Sequence, residues 1–167
     1  MRLTARSEYG MLALIDLAEA YGERPLSVRE LAEDRELPTP FLEQLFASLR
    51  RAGLVKGVRG PHGGFTLARD PKTITALDIV EALEGELAPT VCAQQGACDR
   101  SDSCAASSVW TDVASSVREA LESWDLGKLA ERQRRLERDL TGGTTVGRRP
   151  APRDTATNSD SDSDSEE

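Results

Sequence analysis

The chain has 167 residues, 38% of them hydrophobic and 30% charged, with a net charge of −8. That is room for one domain with a real core, or one domain plus an appendage, in a composition ordinary for a soluble globular chain. No run approaches the roughly 18 apolar residues of a membrane span, and the opening MRLTARSEYG lacks a signal-peptide pattern, so the chain reads as cytoplasmic with no membrane partner.

A first helix is predicted from about Ser7 to Tyr21, where Met11, Leu14, Leu17, Ala18 and Tyr21 repeat at helical spacing. The second opens at Ser27, with Glu30 completing a capping box and Leu26 and Leu31 forming a hydrophobic staple. The third starts in TPFLEQLFASLRRAG, with Thr39 as cap, Pro40 at the first helical position and Gly53 as the stop. Its apolar face is Phe41, Leu42, Leu45, Phe46 and Leu49, which leaves Glu43, Gln44, Ala47, Ser48, Arg50 and Arg51 for solvent or a partner. The period then changes from helical to alternating. Leu54 to Val58 and Phe65 to Leu67 read as short strands around the turn RGPHGG.

Two helices joined by a short turn and followed by a hairpin make a winged helix-turn-helix. The third helix is placed to enter a major groove, and the hairpin to lie on the backbone or minor groove beside it. Local charge agrees better than net charge does. Residues 1–80 carry eleven Lys/Arg against eleven Asp/Glu, yet no acid lies between Glu43 and Asp70, where Arg50, Arg51, Lys56, Arg59 and Arg69 fall. The plain alternative is a basic face that is merely solvated.

A fourth helix begins at Thr75, capped through Asp78 and stapled by Ile74 and Ile79, and ends near Gly85. Residues 91–110, VCAQQGACDRSDSCAASSVW, then hold all three cysteines as C-x5-C-x5-C. A long helix follows, in which Trp110, Val113, Val117, Ala120 and Trp124 recur at the spacing of a helix–helix seam. Two tryptophans on that seam, out of seven aromatic residues in the chain, favour a dimer interface. Leu126, Leu129, Leu136 and Leu140 continue an amphipathic pattern. From Thr141 on Gly, Thr, Pro, Ser and Asp dominate; residues 141–167 carry three bases against six acids, end in NSDSDSDSEE, and are expected to be disordered. The expected architecture is therefore mainly α. A winged helix-turn-helix domain covers 1–85, a cysteine loop 86–106, a dimerisation helix and C-terminal helix 107–140, and an acidic tail 141–167.

Three cysteines are an odd number for a disulfide framework, and a polar loop is not where a structural cysteine goes. Thiolates select zinc, Cu(I) or iron–sulfur clusters. Structural zinc sites bring tight C-x2–4-C pairs and four protein ligands, whereas this loop offers wider spacing and three thiols. Gly96, Ala97, Ser101 and Ser103 let it wrap something larger than one ion, so an iron–sulfur cluster fits better. A zinc site or a thiol redox switch is the alternative. An enzyme is not expected, because there is no Gly-rich phosphate loop, no nucleophile–base pair and only one histidine.

The stretches MRLTARSEYG and FLEQLFASLRRAGLVKGVRGPHGGF, the C-x5-C-x5-C loop and the VW that closes it resemble the IscR/NsrR/RirA-type family of winged-helix iron–sulfur transcription regulators. The resemblance covers residues 1 to about 135. It implies a homodimeric transcription factor that binds double-stranded DNA at a two-fold symmetric operator. It also implies an iron–sulfur cluster, 2Fe–2S or 4Fe–4S, near the junction between the DNA-reading domain and the dimerisation helix. By the same resemblance Cys92, Cys98 and Cys104 are the cluster ligands, Glu43 and Gln44 sit where the family reads base edges, and Arg59 reaches the minor groove from the wing. Thr39, Arg50, Arg51 and His62 complete the expected DNA-contact set.

The sequence departs from that pattern once. The family's histidine ligand, three residues after the third cysteine, is replaced by Ser107, and the chain's single histidine, His62, lies in the wing turn as a phosphate neighbour or surface residue. Glu8 on the first helix is the candidate fourth ligand, since nitric-oxide-sensing members carry a carboxylate at the matching place that reaches the cluster from the partner subunit. Its other role would be to favour the positive first turn of that helix.

Overall fold

The computed structural model describes residues 3–61, 63–88, 90 and 104–141. Its elements follow in the order α1 (Ala5–Glu19), α2 (Val28–Arg35), α3 (Thr39–Arg51), β1 (Val55–Val58), β2 (Gly64–Leu67), α4 (Ala76–Glu84), α5 (Ala105–Glu122) and α6 (Leu126–Thr141), with a short 3-10 turn at Pro71–Thr73. This is the mainly helical winged-helix class that the pattern predicts.

Local chemistry explains most of the element ends. Thr4 caps α1, its hydroxyl accepting from the Arg6 amide at 3.2 Å, so the helix begins slightly before the apolar stripe requires. Leu14, Leu17 and Ala18 of that stripe are buried and Met11 is half-buried, but α1 stops at Glu19 and Tyr21 is left exposed in the turn beyond it. Ser27 caps α2 by accepting from the Glu30 amide at 3.1 Å, and the staple residues Leu26 and Leu31 are both buried. At Thr75 both halves of the capping box form, with Asp78 N to Thr75 Oγ1 at 3.1 Å and Thr75 N to Asp78 Oδ2 at 2.9 Å.

α3 starts differently from its sequence reading. Pro38 takes the cap position in an extended conformation without a side-chain hydrogen bond, and Thr39 is the first helical residue. The C-terminus is as expected. Gly53 adopts φ +70°, its amide reaching Arg50 O and the Leu54 amide reaching Leu49 O, each at 3.0 Å, a Schellman closure that only glycine enters without strain. That turn leads directly into β1, so the hairpin is fixed to the end of α3. β1 and β2 pair antiparallel from Val55 opposite Leu67 to Val58 opposite Gly64, and Leu26 adds a further bridge to Phe65.

The core gathers Leu14, Leu17, Leu31, Leu42, Leu45, Phe46, Leu49, Ile74 and Ile79 between α1, α2, α3 and α4. Phe46 meets Phe65 of the wing at 4.8 Å between centroids, and Tyr9 stands edge-on to Phe41 at 5.8 Å. Inside this core Asp16 of α1 holds Arg35 of α2 through two bonds, 2.6 and 3.1 Å, with side-chain exposures of 0% and 6%. α1 and α4 cross at Gly10, where a Cβ would stand 2.3 Å from Leu83 Cδ1, so a side chain there would push the helices apart.

α5 and α6 are not one continuous rod. α5 ends at Glu122, which puts Trp124 in the turn. That turn is stitched to the start of α4: the Ala76 amide donates to Trp124 O at 2.8 Å and the Leu126 amide to Ile74 O at 2.9 Å. α6 then lies on α1, and its Leu126 and Ala130 join the main core. α5 packs against α4, with Val117 and Leu121 against buried Leu77, Val80 and Leu87, and Arg118 paired to Glu81.

Candidate nucleic-acid interface and cysteine site

The outward face of α3 carries Glu43, Gln44, Ala47, Arg50 and Arg51, all exposed and recurring every three to four residues along one side. Its inward face, Leu42, Leu45, Phe46 and Leu49, is fully buried, so the helix is anchored by one side and offers the other. Thr39 is half-buried at the first position of the helix. Ser48, expected on the open face, is buried, and its hydroxyl accepts from the Arg51 guanidinium at 3.1 Å, which holds Arg51 along the helix. Lys56 and Arg59 are exposed on β1 and just after it, while Arg69 is drawn to Asp78 at 2.9 Å. His62 lies outside the described residues.

The cysteine loop is bracketed by two described ends. Cys104 is half-buried and caps α5 in an extended conformation, at the helix end that suits an anionic group. Its carbonyl accepts from both the amide and the hydroxyl of Ser107, at 3.0 and 2.7 Å. Ser107 is itself buried, and its hydroxyl closes the first turn of α5. Cys92 and Cys98 lie outside the described residues.

At the other bracket, α4 ends in Glu84, whose carboxylate sits at the N-terminus of α1. It accepts from the Thr4 amide at 3.2 Å, the Thr4 hydroxyl at 2.6 Å, the Ser7 amide at 3.3 Å and the Ser7 hydroxyl. Burial alone would push this carboxyl up, but those four bonds outweigh it and hold it below the usual glutamate range. Arg6 adds a bond to Leu83 O at 3.4 Å. Glu8 is the residue after Ser7, exposed in the first turn of α1. The candidate fourth ligand therefore stands beside the clamp from which the chain leaves α4 towards the cysteines. Sequence spacing could not have shown this clamp, because its partners are 77 and 80 residues apart.

Towards its N-terminal end α5 exposes Val109, Trp110 and Val113 at 57%, 40% and 39%. Val117, expected on the same seam, is turned part-way into the α4 contact. No helix among the described residues is long and apolar enough to cross a membrane.

A helix-turn-helix anchored on a buried face, with a hairpin fixed to the end of its second helix, is the winged-helix architecture of transcription regulators. The sequence matches the family described as Rrf2, iron-dependent transcriptional regulator, over residues 3–132, and the chain belongs to that family. It is 36% identical over 130 residues to the HTH-type transcriptional regulator CymR of Bacillus subtilis, covering 78% of this chain and 90% of that protein. It is 32% identical over 137 residues to the HTH-type transcriptional regulator IscR of Escherichia coli, covering 82% of this chain and 85% of that one. Among solved structures, T. potens IscR shares 37% identity at a TM-score of 0.67, covering 82% of this chain and 91% of that chain. CymR, the global cysteine regulator of B. subtilis, shares 34% at a TM-score of 0.67, covering 79% and 98%. These relatives are transcription regulators by name.

Proposed function

We propose that the chain is a homodimeric, DNA-binding transcription regulator whose DNA affinity follows the state of an iron–sulfur cluster held by Cys92, Cys98 and Cys104. The observation that carries this reading is the bracketing of the cysteine loop. One end is the cap of α5, and the other is the Glu84 clamp on the N-terminus of α1. A group held by Cys92, Cys98 and Cys104 would act on both ends at once, and α1 packs on α3.

The donor set fits such a group: three soft thiolates spaced by five residues suit an iron–sulfur cluster better than a structural zinc ion, which takes paired knuckles. When bound, the cluster would supply a centre open to oxidation, iron exchange or nitric oxide. Glu8 would complete the ligand set, because it is exposed and stands next to the clamp, whereas the Ser107 hydroxyl is buried and committed to Cys104 O. An oxygen ligand in place of the family's histidine holds iron less firmly.

The exposed Val109, Trp110 and Val113 of α5 would meet a second copy, and pairing would set two α3 helices at a fixed spacing for two half-sites. In this arrangement Gln44 and Glu43 read base edges, while Arg50, Arg51, Arg59 and His62 contact the backbone or minor groove, with Thr39 at the start of α3.

Likeness to CymR, described in its solved structure as a cysteine regulator, supports a second reading in which the same thiols act as a redox switch without a cluster. One experiment separates them. Anaerobic titration of a labelled promoter with the purified chain, and with a Cys92→Ala, Cys98→Ala, Cys104→Ala triple variant, is followed alongside visible absorbance. Cluster sensing predicts that loss of visible absorbance and change of DNA affinity coincide. A DNA response to thiol oxidant in a chain with no visible chromophore favours the switch.

A further inference from the structure

The exposed bases Arg50, Arg51, Lys56 and Arg59 are not part of any ion pair among the described residues. They belong to the stretch between Glu43 and Asp70 that contains no acid, and the one carboxylate of α3, Glu43, lies two turns before Arg50. The bases of α6 are placed otherwise. α6 interleaves acids with its bases: Lys128 is paired with Asp125 at 3.2 Å and Arg135 with Glu131, while Arg132 lies over the Trp124 ring. The stretch 44–69, from the end of α3 through the wing, is therefore a run of exposed bases with no acid interleaved. The same chain carries its complement. Residues 154–167 hold six acids (Asp154, Asp160, Asp162, Asp164, Glu166 and Glu167) and no base.

We propose that the acidic segment 154–167 docks on the α3–β1 face and competes there with nucleic-acid phosphate. Reach permits it. Asp160 lies nineteen residues beyond Thr141, a span of up to about 65 Å, against a radius of gyration of about 13 Å for a domain of this size. Tethering raises the segment's effective concentration at the face to the order of millimolar, so weak ion pairs suffice to compete. Contacts between exposed charges are screened by salt, which makes the competition strongest at low ionic strength. DNA releases counterions on binding and displaces the segment where a site adds base contacts. The segment therefore suppresses nonspecific binding more than specific binding. Its effect on DNA rests on the reading of α3 and the wing as the DNA surface; the docking itself is a property of the free chain.

The chain's three lysines make a direct test: Lys56 lies on the proposed face, while Lys72 and Lys128 lie off it, on the 3-10 turn and α6. A zero-length carbodiimide reagent applied to the DNA-free full chain should join Lys56 to the carboxylates of 160–167. Peptide mass spectrometry should find that product in preference to products of Lys72 or Lys128, and it should vanish at about 0.5 M salt. In parallel, a variant with Asp154, Asp160, Asp162 and Asp164 changed to Asn and Glu166 and Glu167 changed to Gln should bind a mixed-sequence duplex roughly 3- to 10-fold tighter at low salt. The gain should disappear in an Arg50→Ser, Arg51→Ser background. Absence of a preferred Lys56 product, or a gain that persists without the two arginines, overturns the docking. A Lys56 product in a chain that binds no duplex removes the competition and the DNA reading together. Tight duplex binding with neither product nor gain removes the docking alone.

Discussion

Asp16→Ala should be the most damaging substitution of a charged residue in this fold. Asp16 is 1% exposed and Arg35 6%, and the two bonds between them link α1 to α2 across 19 residues of sequence. Removing the carboxylate leaves a guanidinium buried without its partner, which costs about 3–5 kcal/mol. A small domain has about 5–15 kcal/mol in total, so the variant keeps only part of its stability. With a urea slope of about 1–3 kcal/mol per molar, the midpoint of unfolding should fall by about 2 M. The double variant Asp16→Leu, Arg35→Met removes both charges and fills the volume, and should return to within about 1 kcal/mol of the parent or exceed it. Urea unfolding followed by far-UV circular dichroism at 25 °C measures both. A single variant within about 1 kcal/mol of the parent would mean that the guanidinium escapes to water and that the pair is not the buried link between α1 and α2.

Glu84→Ala should destabilise the chain by about 1–3 kcal/mol, because the Ser7 hydroxyl and the Thr4 and Ser7 amides lose their acceptor; thermal unfolding at neutral pH checks it. Since the Glu84 carboxyl is held below its ordinary value of about 4.3, its contribution is complete above that pH and is lost as pH falls through the lower folded value. The parent should therefore lose stability below about pH 4 more steeply than Glu84→Gln does, and parallel acid limbs would refute the clamp. Arg59→Ala should weaken operator binding at all sequences, whereas Gln44→Ala should relax base preference by about 1–3 kcal/mol at one position; unchanged binding for both in a gel-shift titration would remove α3 and the wing from the interface. Trp110→Glu with Val113→Glu should yield monomers by analytical ultracentrifugation with retained helix content, and dimers that survive both charges would move the interface off α5.

Much of the fold could be read from the chain because its signals are local. The capping pair Thr75 and Asp78, the staples Leu26/Leu31 and Ile74/Ile79, and the glycine stop at Gly53 each involve residues within one turn, where spacing and geometry coincide. The open face of α3 was legible for the same reason, apart from Ser48, which is drawn in beside Arg51. Long-range pairings were not legible. Asp16 and Glu84 look like any helix acid in sequence, and what singles them out is a partner brought in from another element. The α5 seam was legible only in part: periodicity marks Trp110, Val113 and Val117 alike, but α4 captures Val117 and leaves the other two exposed. A second, C-terminal helix was legible, but the position of the turn at 123–125 was not: Trp124 continues the α5 spacing and yet lies beyond its end, while Leu126 and Leu129 serve the helix lying on α1.

The most direct test of the central proposal is the iron, acid-labile sulfide and zinc content of the anaerobically purified full chain, read together with its visible spectrum. Cluster sensing predicts a brown protein with iron and sulfide in equal amounts, colour that is lost in the triple cysteine variant, and a spectrum altered but not abolished in Glu8→Ala. A colourless protein carrying stoichiometric zinc, or no metal at all, would contradict it.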